Sequence, residues 1–210
     1  MRLLERPVST AKLLGGRLCL DFVNTCGGRG EDGLPIDDRL LEYTDLAAWA
    51  ARAGLESGPA ALKLISAAMH DSGAAAKVWE RAVALREACY RLLTGKIRQQ
   101  NPAAADVAIL NGEWVDALRH RALATGPPYL RLKWTGSEQA LDRTLWAVAE
   151  SAVQLLASSD SGRLRECGGP NCGWLFEDVS RNGSRQWCDM QMCGNLAKVR
   201  RFRERQTCEK

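Results

Sequence analysis

No stretch of this 210-residue chain approaches the roughly 20 consecutive apolar residues that cross a membrane. The opening residues, Met1 to Pro7, hold no apolar segment of secretion-signal length, because Glu5 and Pro7 interrupt them. Histidine is scarce: His70 and His120 are the only two, and both lie far in sequence from the densest cysteines. Internal repeats, low-complexity tracts, a nucleophile elbow and a phosphate-cradling glycine loop are all missing. These absences argue against a membrane protein and predict a cytoplasmic one with no membrane partner. They also give no foothold for an enzyme, so catalysis is not expected.

Charge is present but unevenly placed. Residues 1–162 carry 19 Lys and Arg against 19 Asp and Glu, whereas residues 163–210 carry 10 against 6. The whole net charge of +4 therefore sits in the last quarter of the chain, which points to a polyanionic partner for that segment. Eight cysteines are present, and four of them cluster in this same basic segment. In a reducing compartment such a cluster binds metal more often than it forms disulfides.

The four are Cys167, Cys172, Cys188 and Cys193, two close pairs separated by fifteen residues. Zinc takes four thiolate or imidazole ligands in a tetrahedron, and a shell closed by protein ligands is structural. A spacer of this length accommodates a hairpin. Trp174 to Asp178 suits a strand, Ser180-Arg181-Asn182-Gly183 a tight turn, and Arg185-Gln186-Trp187 a returning strand. With Zn2+ bound, no position is left open for water, which excludes zinc hydrolysis. Knuckle, hairpin and terminal helix in this order suggest a treble-clef-like finger. Trp174, Phe176 and Trp187 are expected to pack in its core.

Gly194-Asn195 leads into a helical pattern that runs to Arg205. With 3.6 residues per turn, Met192, Leu196 and Val199 share a face, with Phe202 at its edge. Lys198, Arg201 and Arg205 lie opposite and Arg200 flanks them. One face is expected to pack on the zinc core while the other, joined by Arg181 and Arg185 from the hairpin, meets phosphates.

Upstream, Ser158 to Gly162 marks a domain boundary. Arg17 to Thr25 reads as a strand ending in a polar turn, and Gly27 to Pro35 as a loop. Helices are expected over 45–53, 74–99, 103–122 and 138–157, with a half-buried strand over Tyr129 to Trp134. The fold class is α+β: a mainly helical domain over 1–160 with a small β-sheet, then the finger over 163–207. Cys19, Cys26 and Cys89 are expected in the core or in loops, and Cys208 in an exposed tail.

The run Cys167-Gly-Gly-Pro-Asn-Cys172-Gly-Trp174-Leu-Phe176, followed by Asp178-Val-Ser180-Arg181-Asn182 and Trp187-Cys188-Asp-Met-Gln-Met-Cys193-Gly194-Asn195-Leu196, resembles the CGNR zinc-finger family. Leu18-Cys-Leu-Asp21-Phe22-Val23-Asn24-Thr25 resembles the hallmark of the ABATE domain, which usually precedes that finger. The resemblance implies a transcription regulator with zinc on four cysteines and DNA as its target. One position departs from the pattern: Leu196 stands where the motif has arginine.

The first functional expectation is therefore a DNA-binding regulator whose N-terminal domain senses a small-molecule effector or forms a homodimer. Asp21 and Asn24, at the end of an apolar segment, are the candidate ligand-binding pair. The alternatives are a zinc-stabilised module for an acidic protein or RNA, and a thiol redox sensor.

Overall fold

The computed structural model describes residues 8–158 and 160–208, and the side chains among them except those of Asp160, Ser161, Thr207 and Cys208. Ser159 of the expected boundary, the opening Met1 to Pro7 and the tail thiol of Cys208 therefore lie outside the described residues. The fold is α+β and mainly helical, with three separate two-stranded antiparallel sheets.

The order is α1 (Leu18–Val23), β1 (Cys26–Arg29), β2 (Pro35–Asp38), α2 (Tyr43–Arg52), α3 (Gly58–His70), α4 (Ser72–Ile97), α5 (Ala104–Arg119), β3 (Arg121–Gly126), β4 (Tyr129–Trp134) and α6 (Arg143–Ala157). After these come β5 (Leu164–Glu166), β6 (Leu175–Glu177) and α7 (Asn195–Cys208). Local signals explain most starts. Ser57 accepts a hydrogen bond from the Ala60 amide at the head of α3, and Asp71 accepts one from Ala74 at the head of α4. Asp45 accepts from the Leu41 and Glu42 amides and so fastens the first turn of α2.

The expected first strand is a helix. Cys19, Leu20, Phe22 and Val23 are all buried, a spacing of one, three and four residues that fits one helical face and not the alternation of a strand. The segment lies against α4 and α6, and the Ser151 hydroxyl of α6 accepts the Cys19 amide proton. The expected glycine-rich loop is the β1–β2 hairpin, with Cys26 opposite Asp38 and Gly28 opposite Ile36. Gly126-Pro127-Pro128 does not merely break a helix: it turns the β3–β4 hairpin.

One core collects α1, α2, α4 and α6, with Trp49 and Trp146 fully buried. Leu164 and Leu175, from the cysteine-rich segment, belong to this same core. The hairpin β1–β2 is fixed to α4 by an ionic cluster that sequence patterning did not reveal. The fully buried Arg86 donates to both Asp38 oxygens at 2.7 and 2.6 Å and to Glu87 at 2.8 Å. Arg29 stacks 3.7 Å over the Tyr90 ring and also binds Glu87. Burial works against an ionised Asp38, but the Arg86 hydrogen bonds and charge outweigh it and hold the carboxyl below its ordinary value.

Candidate metal centre and nucleic-acid face

Cys167 and Cys172 bracket a tight loop between β5 and β6, and Cys188 and Cys193 flank the turn that leads into α7. The strand expected over Trp174 to Asp178 is present as Leu175–Glu177, but its partner is Leu164–Glu166, ahead of the first cysteine pair; residues 185–187 form no strand. The reason is that the knuckle itself is the hairpin turn. The Cys167 amide donates to the Trp174 carbonyl across its neck, and Asn171 and Gly173 adopt left-handed backbone to close it.

The four Sγ atoms lie within 4.8 Å of one another. Cys172 to Cys188 is 3.6 Å and Cys188 to Cys193 is 3.7 Å. A tetrahedron of Zn–S bonds of about 2.3 Å has edges of about 3.8 Å. The donor set therefore has the right chemistry, number and spacing for zinc. Hydrogen bonds from Cys172 and Cys188 hold the Cys167 thiol well below its ordinary value, while the same contacts push Cys172 and Cys188 up. Burial chiefly raises Cys193. Four thiolates this close require a cation to ionise together.

The surrounding residues lock the loop. Asp178 is buried and its carboxylate accepts from the Ser180 hydroxyl at 2.6 Å and from the Ser180 and Arg185 amides at 2.9 Å. The Ser180 hydroxyl, ahead of those amides, lowers the Asp178 carboxyl. Trp174 and Phe176 pack in the small core with the cysteines, with Trp187 against it. His70 and His120 bond to Ser66 and Asp116 carbonyls within their own helices, away from the tetrad.

Arg185 is not available to phosphate. Its guanidinium donates to the Cys188 carbonyl at 2.7 Å and to the Trp187 carbonyl at 3.1 Å, and it lies 4.1 Å over the Phe176 ring. It positions the second cysteine pair. Arg181, Lys198, Arg200, Arg201 and Arg205 are all exposed, as is Arg203. Arg200 meets Glu204 at 3.5 Å, an exposed pair of little energetic weight.

The expectation that Met192, Leu196, Val199 and Phe202 pack on the zinc core is not met. Leu196 is 61% exposed and Phe202 60%, and the residues that α7 and its lead-in turn bury are Gly194 and Ala197. A five-residue π-helical turn over Met190–Gly194 shifts the wheel, so the face presented to the core differs from the one a regular helix would offer.

Asp21 and Asn24 are each bonded to backbone groups. An Asp21 oxygen accepts from the Gly15 amide at 2.8 Å, and burial, the largest influence, raises its carboxyl. Asn24 is buried and its amide pairs with the Leu175 backbone in both directions, donating to the carbonyl at 2.8 Å and accepting from the amide at 2.9 Å. Asn24 thus stitches α1 to β6 as an added strand residue would. Further stitches are Trp174 Nε1 to the Cys26 carbonyl at 3.0 Å, the Arg29 amide to the Asn171 carbonyl at 3.1 Å, and the Glu177 amide to the Gly15 carbonyl at 2.8 Å. At Gly28 an added Cβ would lie 2.1 Å from the Asn171 carbonyl oxygen, so only glycine lets the hairpin approach the knuckle.

Among the described residues, no helix is long and apolar enough to cross a membrane. No curated protein matches the chain at a significant level. Two family profiles do: ABATE, described as "Putative stress-induced transcription regulator", over residues 16–159, and the CGNR zinc finger over residues 163–206. The finger profile and the four closely placed cysteines account for zinc as the cofactor. The chain belongs to the ABATE family and ends in a CGNR zinc finger.

Proposed function

We propose that this protein is a DNA-binding transcription regulator whose finger, residues 163–207, meets the duplex through α7. The observation that carries the reading is the exposed cationic helix: Lys198, Arg200, Arg201 and Arg205, with Arg181 from the neighbouring turn, all reach solvent on the one segment that holds the chain's net positive charge. Such cations contact phosphates and release counterions. Residues 1–160 then act as the sensing or dimerising part. The stitches between the two parts give an effector a physical route to the finger.

Binding to duplex DNA is measured by titration at several salt concentrations. A steep fall of affinity with salt is expected, and charge reversal at Arg201 or Arg205 should weaken binding to every sequence and flatten the slope by about one per lost phosphate contact. Absence of binding to any genomic fragment would remove the reading. One observation favours a second: Leu196, Val199 and Phe202 form an exposed apolar stripe on the same helix, which suits a protein partner. Salt-insensitive binding to a protein would select it.

A further inference from the structure

We propose that the N-terminal half supplies the counter-charge of the zinc centre, through Arg39 with Lys12 beside it. The metal site is then completed across the two halves of the chain. The inference rests on the reading of the cysteine tetrad as a zinc site.

A cavity of about 400 Å3 lies between the tetrad and the N-terminal half. From the finger it is lined by Cys172, Cys188, Cys193 and the carboxylate of Asp189, among others; its two cations, Lys12 and Arg39, both come from the N-terminal half. Arg39 follows β2 directly, and its amide donates to the Thr25 carbonyl, which fixes the backbone there. Its side chain is only 11% exposed, yet among the described residues its one ionic contact is Asp37 at 3.8 Å, and its buried Nε has no hydrogen-bond partner there. A guanidinium so enclosed and so weakly paired is costly unless an anionic group lies nearby.

The tetrad is that group. Zn2+ with four thiolates carries a net charge of −2. Among the described residues no cation of the finger lines the cavity; Arg185 is committed to the Cys188 and Trp187 carbonyls. Lys12 pairs with Asp189 and cancels that carboxylate, which would otherwise add to the negative charge beside the sulfurs. With Lys12 matched by Asp189, Arg39 is the remaining cation lining the cavity together with Cys172, Cys188 and Cys193, in a space partly shielded from water where charges act over longer distances than at a surface. The hairpin that carries Arg39 is held to the knuckle by the Trp174 and Asn171 hydrogen bonds, so the placement is rigid.

Zinc affinity of the full chain, measured by competition with a chromophoric chelator, tests this. Arg39→Gln should bind zinc several-fold more weakly, because a charge acting across the cavity is lost. Arg39→Lys keeps the charge and should stay close to the wild type. Arg143→Gln, which breaks an ion pair with Glu56 elsewhere in the N-terminal half, should lower the thermal midpoint and leave zinc affinity unchanged. Unaltered zinc affinity in Arg39→Gln overturns the proposal, as does equal weakening in Arg39→Lys. Should Arg39→Gln fail to fold, Lys12→Gln at its half-exposed position carries the test. It should bind zinc measurably more weakly, and wild-type affinity there would overturn the proposal. A wild-type protein that takes up no zinc would instead remove the metal reading on which the proposal rests.

Discussion

Residues 8–158 bury Trp49, Phe22 and a large set of aliphatic side chains in one core, whereas the finger's own cluster is Trp174, Phe176 and its cysteines. A helical half of that size can stand on hydrophobic burial at about 25 cal/mol per Å2. A finger of some forty residues cannot, and it depends on metal and on docking. The two regions also differ in what their surfaces do. The buried arginines of the first half, Arg29 and Arg86, serve internal carboxylates, while most arginines of the last helix face solvent. The same residue type is therefore structural where it is enclosed and available for recognition where it is not.

Zinc removal should have the largest effect. Structural zinc contributes on the order of 10–16 kcal/mol in isolated fingers near neutral pH. Chelation should abolish the finger's tertiary signals while the helical circular dichroism of the first half persists at a lower thermal midpoint. Full helicity together with an unchanged midpoint would show that metal and docking do not share the work.

Next is Arg86→Ala. Removing one member of a buried ionic cluster leaves Asp38 without its cation, although Glu87 keeps Arg29, at a cost of about 3–5 kcal/mol. Denaturant unfolding measures it. A loss below about 1 kcal/mol would mean that water replaces the guanidinium, and the contrast between enclosed and exposed arginines would weaken.

Asn24→Leu leaves the Leu175 amide and carbonyl without partners and should cost roughly 2–3 kcal/mol. Hydrogen exchange adds a sharper reading: protection should fall in β6 and the knuckle more than in α4. Uniform loss across both halves would show that they unfold only together.

The smallest expected change in stability is that of Leu196→Arg. With the side chain 61% exposed, stability should shift by no more than about 0.5 kcal/mol. Under the DNA-binding reading, the salt slope should steepen by about one. An unchanged slope in the folded variant would place position 196 away from the duplex.

How legible the molecule was depended on the range of the forces involved. The long helix α4, with Val78, Ala82, Leu85, Cys89 and Leu92 at helical steps, declares itself locally, because its periodicity and the Asp71 cap act within one or two turns. The metal tetrad declares itself for a similar reason: zinc chemistry restricts the residue types and their spacing. The segment Leu18 to Val23 misleads. It is short and almost wholly apolar, and only the surrounding α4 and α6 decide that helix buries it better than strand. Asn24 and Arg185 mislead for another reason. Polar side chains look like recognition groups until tertiary contacts supply their partners, here the Leu175 backbone for Asn24 and the Leu14 carbonyl for Arg185.

By itself, then, the sequence determined the family, the helical character of the first half, the four zinc ligands and the location of the excess positive charge, since each depends on residue identity and short-range spacing. Tertiary structure alone decided which arginines are spent inside, which face of α7 meets solvent, and that Arg39 and Lys12 stand across a cavity from the thiolates. These are outcomes of long-range packing, in which a side chain's role follows from neighbours far away along the chain.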